Sequence, residues 1–159
     1  MRLIAIVKRD CETCQLVEPV LAHLHGHAKL EVYSQDDPGF PATVPNVRDD
    51  RALNVSWQHR VEIVPTLIRV TDDATPDRAE GWVRDEWRAL TGMADLGADL
   101  PPSQPGCGSR TLDPGMPEHL ALVHGDLDLK AGVVEVAAEL DPVEYAFDHG
   151  WTDGLPIVL

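Results

Sequence analysis

Short apolar runs and segments of helical period alternate along the first 92 residues. Leu3–Val7 is apolar on both faces and rich in branched side chains, which predicts a buried strand over Arg2–Lys8. Apolar residues then recur at intervals of three and four, which predicts an amphipathic helix over residues 12–25. Pro19 should kink this helix and Gly26 should end it.

The same alternation continues through the next 35 or so residues, where the pattern switches repeatedly between strand and helix. Leu30–Ser34 predicts a second strand, parallel to the first because a helix connects them. A proline-rich stretch over residues 35–47 predicts a loop. Asp49–Arg60 predicts a helix with Leu53 and Trp57 on one face.

Two further strands and a helix are expected before residue 92. Leu67–Val70 predicts a strand, residues 71–76 a turn, and Asp77–Glu80 the start of another strand. A last helix should begin at Gly81-Trp82 and turn Val83, Trp87 and Leu90 inward. The sequence therefore predicts an α/β domain over residues 1–92.

The composition changes after this domain. Residues 93–117 are rich in proline and glycine, which predicts a linker or a wrapping loop. Residues 118–159 predict a mainly helical extension. Its expected helices lie at Met116–Val123, Asp128–Leu140 and Asp141–Gly150, and the last carries an N-cap and a proline at the first helical position. We expect the extension to dock on the domain, because alone it has too little core.

Charge and hydropathy restrict the partners. The formal net charge of −14 argues against nucleic acid and anionic membranes as partners. No segment reaches the roughly 20 apolar residues of a membrane span, and Leu3–Val7 is too short for a secretory signal. Three cysteines, an odd number, fit a reducing compartment better than a disulfide framework. We therefore expect a cytoplasmic protein.

Cys11 and Cys14 are the strongest candidates for chemistry. Two cysteines separated by two residues at a helix start can close a disulfide within one turn, and the unpaired N–H groups there favour a thiolate on the first sulfur. Lys8 and Arg9 should lower the pKa of Cys11, whereas Asp10 and Glu12 oppose that shift. We expect a moderate lowering of the pKa, which makes Cys11 a redox nucleophile.

These residues resemble the thioredoxin superfamily. The cysteine pair is followed five residues later by Pro19, where that family kinks its first helix, and Val64-Pro65-Thr66 comes later. The resemblance implies a thioredoxin-like fold, a central mixed sheet flanked by helices, with a cis bond before Pro65 that faces the disulfide. It implies that Cys11 attacks a substrate disulfide and that Cys14 resolves the mixed disulfide. It also implies a substrate groove at Val64, Pro65 and Thr66, where the backbone of Val64 pairs with an extended peptide.

Several positions depart from the thioredoxin pattern. Asp10, Glu12 and Thr13 replace the tryptophan before the cysteines and the Gly-Pro spacer between them, and Ala5 stands where thioredoxins bury a proton-accepting aspartate. Proton transfer at Cys14 would then use Glu12, water or a group of the partner. These changes favour a dedicated partner over general disulfide reduction.

The C-terminal part resembles an extension found in a subgroup of thioredoxin-family proteins. The matching residues are Cys107–Arg110, Pro114–Glu118 and Gly150–Pro156. The last of these runs also resembles the beginning of a separate family that carries a selenocysteine- or cysteine-Gly-Ser-Cys motif. This indicates a dedicated partner enzyme that docks the C-terminal extension and exchanges electrons with the domain.

Each candidate has an alternative. Cys11 and Cys14 could be a structural pair or half of a metal site. Cys107, in a glycine-rich segment, is either an auxiliary thiol that receives the disulfide from Cys11 and Cys14 or an inert one. His23, His25 and His27 are either solvated cations or metal ligands, and we expect them to face different ways around the helix end.

The sequence thus predicts a thiol–disulfide oxidoreductase that exchanges electrons with a protein or thiol substrate. A thioredoxin-reductase-like protein or a small thiol would supply the electrons, and we expect no bound cofactor and no metal. The alternative is a non-catalytic thioredoxin-fold binding module, or a soft-metal-binding protein, that docks a partner enzyme.

Overall fold

A computed structural model of the chain describes residues 2–70, 77–125 and 127. Contacts between residues divide the chain into one unit over Met1–Leu127 and a second over Asp128–Leu159. Residues 93–117 belong to the first unit, whereas the sequence predicted a division at residue 92. The turn expected at 71–76 and the helices expected between residues 128 and 150 lie outside the described residues.

The first unit is an α/β fold built of short strands and helices. The strands in its described part are β1 (Arg2–Val7), β2 (Lys29–Ser34), β3 (Arg48–Asp49), β4 (Ile63–Val64), β5 (Thr66–Val70), β6 (Asp77–Glu80), β7 (Trp82–Val83), β8 (Ser103–Gln104) and β9 (Cys107–Gly108). The α-helices there are α1 (Glu12–Leu16), α2 (Glu18–His27), α3 (Asn54–Gln58), α4 (Arg84–Thr91) and α5 (Met116–His124). A 3-10 helix spans Arg110–Leu112.

A mixed sheet of five strands forms the centre, in the order β3-β2-β1-β5-β6. β1 runs parallel to β2, with Ala5 opposite Val32, and antiparallel to β5, with Ala5 opposite Leu67. Every residue of Leu3–Val7 is at most 4% exposed. This confirms the prediction that the first strand is buried on both faces and parallel to the second.

The helix predicted over residues 12–25 is two helices. Val17 separates α1 from α2, and Pro19 stands in the first turn of α2, where a missing N–H costs nothing. The expectation that Gly26 ends the helix is wrong. α2 continues to His27 and ends at Ala28, whose extended backbone donates its N–H to the carbonyl of Leu24 at 2.8 Å.

The helix predicted over Asp49–Arg60 is also wrong in extent. Arg48–Asp49 pairs with β2, and α3 covers only Asn54–Gln58. Two features explain this. The carboxylate of the buried Asp50 accepts the N–H groups of Val55 and Ser56 at 2.9 and 3.0 Å, and Leu53 adopts a positive φ of 59°. Asp50 therefore satisfies the first turn of a helix that starts later than the hydrophobic pattern indicates.

The last predicted helix begins at Arg84 and not at Gly81-Trp82. Gly81 has a φ of 68°, and Trp82 belongs to β7, which pairs with β8. Trp87 and Leu90 are buried as predicted, and the rings of Trp82 and Trp87 pack edge to face with centroids 5.2 Å apart. The predicted short helix at Met116–Val123 is confirmed as α5. None of the helices in the described part of the chain is long and apolar enough to span a membrane.

Candidate functional site

Cys11 lies in the turn between β1 and α1, at the residue that caps the helix. Its backbone is extended, and its Sγ accepts the N–H of Cys14 at 3.3 Å. The carboxylate of Asp36 holds the turn by accepting the N–H groups of Arg9 and Asp10 at 2.7 and 2.9 Å. The turn thereby fixes the position of Cys11 relative to the end of the sheet.

The pKa of Cys11 is lowered to about 5. A hydrogen bond with the Cys14 thiol is the largest cause and burial opposes it, while the thiol and N–H of Cys107 and the N–H of Cys14 lower the pKa further. Of the two expected sources, the N–H groups at the helix start contribute through Cys14, whereas the charges of Lys8 and Arg9 are not among the causes. Arg9 pairs with Asp37 at 2.6 Å and Lys8 donates its Nζ to the carbonyl of Gly108 at 2.8 Å.

Cys14 is fully buried, and its environment shifts its pKa in the direction opposite to that of Cys11. Burial, together with the hydrogen bond to Cys11, raises the pKa of Cys14 above its ordinary value. Its Sγ accepts the N–H of Lys8 at 3.5 Å. Glu12, which we considered as a proton carrier for Cys14, is exposed. The pair at rest is therefore a thiolate on Cys11 and a thiol on Cys14.

Val64, Pro65 and Thr66 are buried, and Val64 lies against Cys11. The Cys11 Sγ lies 3.5 Å from the Val64 carbonyl oxygen, within hydrogen-bonding distance. The Val64–Pro65 bond is cis, the form that the resemblance implies. The Pro65 carbonyl accepts the N–H of Gly81 at 2.8 Å, and the Thr66 hydroxyl donates to the Ile63 carbonyl at 2.6 Å.

The backbone edge of Val64 is paired within the chain. We call residues 103–109 the strap; within it, β9 runs antiparallel to β4 and places Cys107 opposite Val64. The resemblance implies an extended substrate peptide at this edge. Instead the strap lies there, and the Cys107 thiol lowers the pKa of Cys11. Cys107 is partly buried, and burial raises the pKa of its thiol, with Cys11 as the second cause.

Polar contacts hold the strap on both sides of Cys107. Thr13, 2% exposed, donates its hydroxyl to the Pro105 carbonyl at 2.6 Å and accepts the Gln104 side-chain amide at 3.1 Å. On the other side, the ammonium group of Lys8 binds the Gly108 carbonyl, and the N–H of Ser109 donates to the Glu62 carbonyl at 2.8 Å. A residue of the Cys-x-x-Cys spacer thus positions the strap.

Two glycines allow the strap to lie close to the site. A Cβ on Gly106 would stand 2.3 Å from the Ile63 Cγ2 and 2.7 Å from the Val64 carbonyl oxygen. A Cβ on Gly81 would stand 2.8 Å from the Gly106 nitrogen, at a positive φ. Only glycine permits this approach at both positions.

Gln35 is a buried residue that sequence reasoning did not single out. It follows β2, is fully buried, and donates its side-chain amide to the hydroxyls of Ser56 at 2.8 Å and Ser109 at 2.7 Å. Its amide oxygen accepts the N–H of Arg110 at 3.1 Å. Gln35 therefore ties the end of β2 to the end of the strap. The signal in the sequence was a polar residue directly after an alternating strand, and it pointed equally to a loop.

The histidine string is arranged differently from our expectation. The rings of His23 and His27, one turn apart on α2, stack with centroids 4.6 Å apart, so these two share a face. Among the described residues, no group of three or more His, Cys, Asp or Glu side chains is arranged to hold a metal ion.

Comparison with known proteins returns no relative: no family model, no curated protein and no solved structure matches the chain. What the site can do follows from its own residues. They are a thiolate on Cys11, a buried thiol on Cys14 and a third thiol on Cys107, which pairs with the residue that lies against Cys11. Such a set is suited to thiol–disulfide exchange.

Proposed function

We propose that the protein is a thiol–disulfide oxidoreductase that uses Cys11 and Cys14. One observation carries the proposal: the Cys11 sulfur receives the N–H of Cys14 at 3.3 Å together with the Cys14 thiol, and its pKa falls to about 5. A thiolate is the nucleophile in disulfide exchange, and this one is present at neutral pH.

We further propose that the fold is thioredoxin-like. Support comes from a mixed sheet in which β1 lies between the parallel β2 and the antiparallel β5, and from the Cys-x-x-Cys turn that joins β1 to a helix. It comes also from Val64, the residue before Pro65, whose carbonyl lies 3.5 Å from the Cys11 Sγ. Ala5, at the position of the family's buried aspartate, is fully buried between Val32 and Leu67.

The proposed reaction proceeds in two exchanges. The Cys11 thiolate attacks one sulfur of an external disulfide, so that a Cys11–substrate disulfide forms and a thiolate leaves. Cys14 then gives its proton to water and attacks the Cys11 sulfur, which releases the second substrate thiolate. The substrate gains two electrons and the protein is left with a Cys11–Cys14 disulfide. A thioredoxin-reductase-like protein or a small thiol would return the electrons.

The site favours a restricted set of partners over a general disulfide reductase. Cys11 is only 4% exposed, and the strap covers the backbone edge beside it. We propose that a dedicated partner enzyme docks the C-terminal extension, and that the protein works in a reducing compartment, the cytoplasm, which suits three cysteines with one functional pair.

The proposal is tested by alkylation of the reduced, metal-free protein with a small reagent at a series of pH values, with mass mapping of each cysteine. The midpoint for Cys11 should lie near the pKa of about 5. Cys14→Ala removes the largest cause of the lowered Cys11 pKa, so the alkylation midpoint of Cys11 in this variant should rise by at least about one pH unit. Oxidised dithiothreitol should form a reversible Cys11–Cys14 disulfide in the wild type.

The matched comparison is Cys107→Ala, which removes a smaller cause and should raise the Cys11 midpoint by less than Cys14→Ala does. A Cys11 midpoint near the free-thiol value, with no Cys11–Cys14 disulfide after oxidation, would contradict the proposal. That result would favour the non-catalytic binding module or the soft-metal-binding protein.

A further inference from the structure

We propose that Cys107 is a third catalytic thiol, which exchanges with a low-molecular-weight disulfide from outside and passes the disulfide inward to Cys11 and then to Cys14. This inference rests on the proposed function, because it needs Cys11 and Cys14 to be redox active. It gives the strap a chemical role and names the class of substrate.

The exposure of the three cysteines points in this direction. Cys14 is 0% and Cys11 is 4% exposed, whereas Cys107 is the most accessible thiol of the chain. An external disulfide must bring a sulfur into line with the attacking sulfur, and around Cys11 that space is enclosed. Around Cys107 it is partly open. For a small disulfide the first exchange is therefore faster at Cys107 than by direct attack of Cys11.

The placement of Cys107 near Cys11 supplies the inward step. β9 sets Cys107 opposite Val64, the residue whose carbonyl lies 3.5 Å from the Cys11 Sγ. The thiol and the N–H of Cys107 also lower the pKa of Cys11, as expected of groups beside its sulfur. Because Cys107 and Cys11 both lie at Val64, a disulfide between them requires only a local shift of the strap.

The anchors of the strap hold Cys107 opposite Val64. Thr13 binds Gln104 and Pro105 before Cys107, and Lys8 binds Gly108 after it. Gly106 lets the backbone beside Cys107 lie against Val64. A thiol that served only to fill space would not need contacts of this kind from the Cys-x-x-Cys turn on both of its sides.

The same arrangement defines the substrate. A peptide that bound as an added strand would need the backbone edge of Val64, and β9 holds that edge. A low-molecular-weight disulfide, such as glutathione disulfide, needs no such edge. It can react at Cys107 from the open side of the strap.

The steps balance as follows. Cys107 passes its proton to the Cys11 thiolate and attacks R–S–S–R′, so that a Cys107–S–S–R bond forms and R′S⁻ leaves. The leaving R′S⁻ takes the proton from Cys11, which is a thiolate again. The Cys11 thiolate attacks the Cys107 sulfur, forms a Cys11–Cys107 disulfide and releases RS⁻. Cys14 attacks the Cys11 sulfur and gives its proton to the departing Cys107 thiolate. RS⁻ takes a proton from water. The external disulfide is reduced by two electrons and the Cys11–Cys14 pair is oxidised.

The experiment mixes the reduced full-length protein with oxidised glutathione, stops the exchange by acid at timed intervals and maps the disulfides by mass spectrometry. Cys11→Ser should accumulate glutathione on Cys107. Cys14→Ser should accumulate the Cys11–Cys107 disulfide. Cys107→Ser should still reach a Cys11–Cys14 disulfide, at a rate at least tenfold lower than the wild type. Cys107→Ala should behave in the same way, and circular dichroism should show both variants folded.

The inference is overturned if Cys107→Ser is oxidised at the wild-type rate, or if Cys14→Ser accumulates glutathione on Cys11 in place of the Cys11–Cys107 disulfide. The proposed function survives either result, provided that Cys107→Ser forms the Cys11–Cys14 disulfide in glutathione redox buffers. If no buffer composition yields that disulfide in the wild type, the proposed function and the inference fail together.

Discussion

The central sheet and the strap are held by different kinds of interaction. In the sheet, β1 buries five consecutive apolar residues, Leu3–Val7, between two neighbouring strands. The strap, residues 103–109, is held by two short strand pairings, by single hydrogen bonds to Thr13, Lys8 and Gln35, and by the close fit of Gly106. Its residues are mostly exposed or partly buried, with Ser109 as the buried exception.

This difference separates stability from the state of the site. Apolar burial is additive and spread over many side chains, so the sheet should determine the free energy of unfolding. The strap contributes a few specific contacts, each of which one substitution can remove. Changes in the strap should therefore alter access to Cys11 more than they alter the stability of the protein. The following substitutions test this separation.

The largest loss of stability should come from the sheet. Leu3→Ala removes a fully buried side chain from β1, and we expect the free energy of unfolding to fall by about 2–5 kcal/mol. Urea denaturation measures this. Leu122→Ala in α5 is the matched control, because Leu122 is 86% exposed and the change should stay within about 0.5 kcal/mol. Equal losses in the two variants would show that burial in the sheet is not the main source of stability.

A smaller loss, with a change at the site, should follow from Gly106→Ala. The new Cβ would meet the Ile63 side chain and the Val64 carbonyl at 2.3 and 2.7 Å, so the strap must shift. We expect a loss of about 1–3 kcal/mol. We also expect faster alkylation of Cys11 at pH 7, since the strap covers it.

Gly108→Ala provides the control on the same strand, because a Cβ there meets nothing within 4 Å. Its alkylation rate should match that of the wild type. Should both variants react at one common rate, the strap would not be what limits access to Cys11.

The smallest change should come from Thr13. Thr13→Val keeps the shape of the side chain but loses the hydrogen bonds to Pro105 and Gln104, at a cost of about 1 kcal/mol. Thr13→Ser keeps the hydroxyl and should retain most of the stability. Urea denaturation of the two variants measures the contribution of the hydroxyl to the free energy of unfolding. If Thr13→Val is as stable as Thr13→Ser, the Thr13 hydroxyl does not anchor the strap.

The sheet could be predicted from the sequence because its signals are local. Leu3–Val7 and Leu30–Ser34 carry the strand pattern within themselves, and the helix between them fixes their parallel pairing. The failures came from positions where a polar contact overrides the pattern. Asp50 reaches forward to cap α3, and Trp82 belongs to a strand because β8 lies beside it. Neither contact changes the periodicity of apolar residues in the sequence.

The site was accessible to sequence reasoning in part. The spacing of Cys11 and Cys14 indicated a redox pair, and the local turn accounts for their contact. The part of the low pKa of Cys11 that Cys14 causes is local, whereas the part caused by Cys107, 96 positions further along the chain, was not accessible. Thr13 was treated as a spacer and Gln35 as part of a loop. Their roles depend on where the strap lies, and a glycine- and proline-rich stretch does not encode that position.

The distance along the chain between Cys14 and Cys107 also sets a delay during synthesis. Cys107 lies 93 positions after Cys14. At about 5–20 residues per second, a ribosome needs roughly 5–20 s to make that stretch. For that interval the nascent chain carries both cysteines of the pair without the segment that later covers them. Any factor that reacts with the bare pair has its opportunity then, before the last part of the site has been translated.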